Sequence, residues 1–304
     1  MILTNIYYQT ICIFVLGLIF GSFYNVLIFR SITIESIIFP PSKCPKCQKQ
    51  LKWYHNIPIL SYIILKGKCH FCKQKIDTMY PIVELCTGIL FLISYIKLGV
   101  SLKTIFCITT LSLFLILTGM DIKTKTISLK YSYLLIISAL LFNIANISDA
   151  LLGAMLSVIL CLILKVLSYI LKKEIIGEGD IYVFAGLGAF VGIKLIPYFF
   201  IISLILQCLI YFPKYILYTI RLKEYHKLFA IFWCFISYVL VFLIKNNYII
   251  FSKWLQLLIF INFILSLILV CKYLTKSILN SQKHYTEPFL PAIFLSAVIY
   301  LLLI

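Results

Sequence analysis

The chain has 304 residues, 63% of them hydrophobic and only 12% charged, with a mean hydropathy of +1.08. That balance excludes an ordinary soluble globular domain and a disordered chain. The net charge of +17 would point to nucleic acid in a soluble protein, but here the basic residues fall mostly in alternate connections, the positive-inside pattern of a membrane protein, so no nucleic-acid partner is expected.

Uncharged runs long enough to cross a hydrocarbon layer of roughly 30 Å recur along the chain. They lie near residues 6–29, 82–96, 104–120, 131–148, 150–171, 180–192, 195–213, 228–244, 249–271 and 287–304. The pattern predicts an all-α polytopic protein in the lipid bilayer with about 8–10 transmembrane helices. The first run has no Lys or Arg before Arg30. It is expected to be a retained helix, because a cleaved signal has a basic start and a shorter core.

Residues 30–80 carry nine basic residues, and further Lys and Arg recur at 123–130, 172–173, 214–227 and 272–283. These connections fall on one side if the amino terminus lies outside, and that side should be the cytoplasm. The segment 30–80 is also the only long polar stretch, with "CPKC" at 44–47 and "CHFC" at 69–72, 21 residues apart. Two such pairs match zinc-ribbon spacing, in which Cys44, Cys47, Cys69 and Cys72 supply four thiolates to one tetrahedral structural zinc. Disulfides are the competing reading, and a cytoplasmic loop argues against them. His55 and His70 are possible substitutes for a sulfur, although four cysteines already complete a site.

Carboxylates are scarce: the chain has four Asp and six Glu. "LILTGMDIKTKT" puts Asp121 at the cytoplasmic end of one run, and "GEGDIYVFAGLGAF" puts Asp180 at the cytoplasmic start of another. An interfacial charge is the bland explanation for either, yet ionisable groups at span edges are costly and mark function. Two carboxyls within a few ångström do not both ionise easily, which makes one an acid and the other a base. Gly177 and Gly179 would let the backbone turn sharply and a substrate strand approach closely. No H-E-x-x-H and no G-x-S-x-G motif occurs, while a Ser–Lys pair stays open on pattern alone.

The blocks "GSFYNVLIFR" at 21–30, "PSKCPKC" at 41–47, "WYHNIPILSYIILKGKCHFCKQKI" at 53–76, "YPIVE" at 80–84, "MDIKTKTIS" and "GEGDIYVFAGLGAFVG" resemble, in this order, the type IV prepilin peptidases. These are membrane aspartic proteases with a G-x-G-D motif. The resemblance implies that Asp121 and Asp180 are the catalytic dyad, supported by Gly177, Gly179 and Glu84, and that the substrates are prepilins and type II secretion pseudopilins. It also implies that the tetracysteine loop accompanies N-methylation of the new amino terminus with S-adenosylmethionine. On this reading residues 1–29 are the first helix, 30–80 the methyltransferase-associated loop, 81–212 the peptidase core and 213–304 additional helices. A peptidase that keeps the loop only for structure, and a non-enzymatic transporter, are the alternatives. Three departures from the family pattern stand out: Ser128 replaces a usual proline, "EPFLPAIF" lacks a glycine of the family's last block, and 213–285 is long.

Overall fold

The computed structural model describes residues 2–33, 36, 39, 41–170, 176–221, 261–262, 265 and 288–304. Contacts divide the chain into one unit of Met1–Gln207 with Thr286–Ile304 and a second of Cys208–Tyr285. The described elements are helices: α1 (Ile2–Thr33), α2 (Leu60–Ile64), α3 (Met79–Leu98), α4 (Leu102–Thr124), α5 (Leu129–Phe142), α6 (Ile147–Ile170), α7 (Glu178–Val191), α8 (Ile196–Arg221) and α9 (Leu290–Leu303). Eight of the ten expected apolar runs are therefore helical, and the runs at 228–244 and 249–271 lie outside the described residues apart from helical 261–262 and 265.

The segments Tyr7–Arg30, Met79–Leu98, Leu102–Thr124 and Ile144–Ile170 are long and apolar enough to cross a membrane. Three shorter apolar helices, Leu129–Phe142, Ile196–Tyr211 and Leu290–Leu303, accompany them. The run expected over 131–148 breaks instead at Asn143. The Asn143 side-chain Nδ2 there donates to the carbonyls of Ala189 and Phe190, each at 2.8 Å. Those carbonyls belong to the last turn of α7 and have no partner inside their own helix, so the break in one helix satisfies the end of another.

Helix α4 is the most enclosed of the candidate spans, with Leu111, Phe114 and Leu117 fully buried. It packs against α1, α3, α5 and α9. Lipid tails are as apolar as the side chains, so helices in a bilayer associate through close packing more than through burial. Glycines supply the closeness here. A Cβ on Gly17 would meet the Gly88 backbone at 2.8 Å, and one on Gly21 would meet the Glu84 backbone at 2.6 Å, which seats α1 on α3. Between α6 and α7, Gly153 and Gly188 face each other so tightly that added carbons would fall 2.4 and 2.3 Å from the opposite carbonyl oxygens.

No side chain can rotate to relieve a clash with backbone. Gly188→Val should therefore force α6 and α7 apart at a cost of at least about 1–3 kcal/mol. A thermal melt in detergent should show a loss of several degrees, and an unchanged midpoint would contradict the packing.

Candidate functional site

Asp121 lies in the last turn of α4 and Asp180 in the first turn of α7. Both are buried, and they are near enough for their charges to interact. The intervening chain explains the approach. Lys125 ends α4 in the left-handed region at φ 56°, donating its N–H to the Asp121 carbonyl at 2.9 Å. The reversed chain then carries Ile127 onto Gly179, whose added Cβ would lie 2.8 Å from the Ile127 Cβ. Helix α5, which starts after Ser128, packs against both α4 and α7.

Each carboxyl is held by main-chain donors. Gly177 N–H donates to Asp180 Oδ2 at 3.0 Å, the turn before α7 folding back onto its own first-turn acid. Leu290 N–H, at the start of α9, donates to Asp121 Oδ2 at 3.1 Å, and the Phe289 amide also bonds this carboxyl. Thr118, one turn before Asp121, donates its hydroxyl to the Leu290 carbonyl at 3.4 Å. Leu290 and Phe289 are site residues that the sequence did not mark. Backbone donors have no side-chain signature, and "PFLP" signals only a helix start.

Among these glycines the structure gives Gly179 a packing role. Gly177 has φ −72° and ψ 155°, which any residue adopts, and Gly179 is already helical. What Gly179 provides is room for Ile127, and Gly186 likewise accommodates Leu135, 2.7 Å from its would-be Cβ. Glu178 points outward and pairs with Lys165 at 2.6 Å.

The four-cysteine module is built from two matching knuckles. Cys44 N–H donates to the Lys49 carbonyl at 3.0 Å and Gln48 N–H to the Cys44 carbonyl at 2.9 Å. Twenty-five residues on, Cys69 N–H donates to the Gln74 carbonyl at 2.8 Å and Lys73 N–H to the Cys69 carbonyl at 3.0 Å. Gln48 and Lys73 sit at the same place in each turn, both at φ 58°. The four sulfurs lie within 4.8 Å of one another and none is in a disulfide. Tetrahedral Zn–S bonds of roughly 2.3 Å require sulfurs roughly 3.8 Å apart. Cys44 Sγ and Cys72 Sγ are at 3.9 Å, so the donor set fits such an ion. Burial opposes ionisation of the Cys69 thiol, but backbone hydrogen bonds from Cys72 and Phe71 and the sulfurs of Cys44 and Cys72 outweigh it and bring it down to about 7. Against the Gln74 amide, burial and the neighbouring sulfurs push the Cys72 thiol up to about 11. His55 and His70 stack on each other with ring centres 5.0 Å apart and stand outside the four-sulfur group.

Glu84, buried in α3, accepts the Ile59 N–H at 2.8 Å, with a further side-chain hydrogen bond to Ser22. It joins the loop between the knuckles to α1 and α3. At the loop's other end, Asp77 Oδ2 pairs with Lys123 and Asp77 Oδ1 accepts the Met79 N–H at 2.9 Å, starting α3.

An all-α polytopic membrane protein, with two buried acids at helix ends and a four-thiol module in the loop before α3, is the class that fold and site define. The Bacterial Peptidase A24 N-terminal domain matches residues 15–98, and the Type IV leader peptidase family matches residues 108–212. A prepilin leader peptidase/N-methyltransferase of Klebsiella pneumoniae is 34% identical over 61% of this chain and 86% of its own length. Proteins of the same name match from Myxococcus xanthus, at 36% over 59% of this chain and 55% of the relative, and from Pectobacterium carotovorum, at 33% over 60% and 75%. The chain belongs to the type IV prepilin leader peptidase family and is an enzyme of that protease family. No solved structure matches significantly.

Burial disfavours the Asp77 carboxylate, but the Lys123 ammonium and the Met79 N–H outweigh this and hold its pKa below the usual value. Its contribution to stability is therefore present above the unfolded-state value of about 3.9 and lost as pH falls through the lower folded-state value. Because the pair is part-exposed, Asp77→Asn should cost no more than about 1 kcal/mol near neutrality. Thermal melts at stepped pH should show the gap between the two proteins closing below about pH 4.

Proposed function

We propose that the chain is a prepilin leader peptidase whose catalytic pair is Asp121 and Asp180, and that it also N-methylates the amino terminus it exposes. The observation that carries this reading is the pair of buried carboxyls at helix ends, each held by a main-chain N–H, inside the segment shared with the leader peptidases. A prepilin has a basic leader before an apolar helix, so its scissile bond lies at the cytoplasmic interface. Both acids sit at helix ends, the depth such a bond would reach.

The charged member of the pair takes a proton from water, and the oxygen attacks the peptide carbonyl, which the protonated member polarises. The carbon–nitrogen bond then breaks, the amine leaves with a proton from the pair, and no covalent intermediate forms. Gly177, Phe289 and Leu290 act as positioning groups, fixing the two carboxyls through their amides. In the second reaction S-adenosylmethionine would supply a methyl group to the new terminal amine. Cys44, Cys47, Cys69 and Cys72 would hold a structural zinc that fixes the loop, and Glu84 would seat that loop on the helices. Type II secretion pseudopilins share the leader-plus-helix design and are proposed as further substrates. The orientation follows the basic connections, with the amino terminus periplasmic and the cysteine loop cytoplasmic.

Asp121→Asn and Asp180→Asn should each lower prepilin cleavage in membranes by about 10²–10⁴-fold or more while the protein still inserts. Wild-type processing by either variant would sink the assignment. Elemental analysis of the purified protein should give about one zinc per chain, and Cys44→Ser with Cys69→Ser should abolish it. Mass spectrometry of pilin processed by that double variant should show loss of the methyl group with the cleaved terminus retained. If wild-type product is unmethylated with S-adenosylmethionine supplied, the enzyme is a peptidase alone.

A further inference from the structure

We infer that residues 53–64, between the two cysteine knuckles, lie in the headgroup region of the bilayer with their apolar side chains in lipid, docking the cysteine module on the membrane surface. Exposed apolar side chains on the spans need no explanation, since they face lipid. Those of 53–64 belong to no candidate span, yet Trp53 is 79% exposed, Leu60 57%, Ile63 63% and Ile64 75%. On a water-facing loop, so many large apolar groups within twelve residues would be an uncompensated patch.

The depth of this segment is fixed by one hydrogen bond. Ile59, immediately before α2, donates its N–H to Glu84 Oε2 at 2.8 Å. Glu84 is the sixth residue of α3, so it sits roughly 8 Å along that helix at 1.5 Å per residue. The start of α2 is therefore level with the second turn of a membrane helix. Apolar faces lying in the interface settle roughly 5–10 Å into the headgroup boundary, and this is the same depth. Ile59 itself has φ 59° and ψ −48°, a costly conformation for a β-branched residue. The Glu84 clamp holds the chain there at the point where α2 begins.

The chemistry of the flanks fits the same occupant. No acidic residue occurs between Glu35 and Asp77, while Lys49, Lys52, Lys66 and Lys68 border the apolar stretch. Lysines around an apolar face complement anionic headgroups, and Trp53 and Tyr54 are the residue types that gather at the interface. A prepilin helix is the other apolar partner that such a face could meet. Lipid is favoured because Ile82 and Leu85, which flank Glu84 in the sequence of α3, are 56% and 44% exposed, so lipid reaches that level of the helix.

The test uses the full-length protein in phosphatidylethanolamine–phosphatidylglycerol vesicles, with Trp53, Trp233 and Trp254 changed to Phe and Ile64→Trp as the one reporter. Phosphatidylglycerol brominated on its acyl chains should quench the emission at least about twofold, as expected of an interfacial side chain. Aqueous acrylamide should quench it weakly. Ile63→Trp in the same background should behave alike, which guards against one reporter disturbing the fold. Emission indifferent to brominated lipid and open to acrylamide would overturn the inference. So would shielding that develops only when a prepilin peptide is added, an outcome that would give the surface to the substrate.

Discussion

The Asp121 carboxyl is the constraint around which the molecule is organised. A charged or polar group at the end of an apolar helix has little water to turn to, and leaving it without donors costs several kcal/mol. Its donors come from the start of α9, 169 residues away in the chain. That requirement fixes where the last described helix begins, and Thr118 and Gln207 reinforce it by donating to the Leu290 and Pro288 carbonyls. Asp180 solves the same problem locally, through the turn at Gly177. One member of the pair thus belongs to its own loop, while the other depends on a distant segment being in place.

Holding two such acids together then requires helices to approach more closely than ordinary side chains allow. The contact of Ile127 with Gly179 sets the distance between the α4 and α7 ends, and the Gly153–Gly188 contact braces α7 from behind against α6. Asn143 closes the far end of α7 by accommodating two of its carbonyls. Rigidity at the site therefore rests in part on main-chain donors and on glycines that admit close neighbours.

What was legible in the sequence follows from which forces act locally. Long uncharged runs mark helices because the bilayer demands internal hydrogen bonding, and eight of the ten runs are helical among the described residues. The cysteine knuckles were readable because each turn is made within eight residues. The break at Asn143 was not, since its cause is the unsatisfied end of α7, far along the chain. Nor were the amides of Phe289 and Leu290, whose identity as side chains says nothing about their N–H groups. A packing reason for Gly179 was not legible either: the motif's spacing points to a turn, whereas the neighbour that excludes a Cβ is Ile127 on another segment.

The cysteine loop is linked to the helices on either side of it, and those helices to one another, near the start of α3. Asp77 pairs with Lys123, two residues beyond Asp121, and Glu84 reaches Ile59 and Ser22. Phe29, near the end of α1, stacks on Tyr80 at 4.6 Å, with the Lys123 ammonium 5.3 Å from the Phe29 ring. The loop that carries the cysteines is thereby tied to α3 and to the end of the helix that carries Asp121. An ordered loop also explains why a metal would belong there: a fifty-residue connection with few large buried side chains cannot fix its own shape, and four thiolates on one ion can.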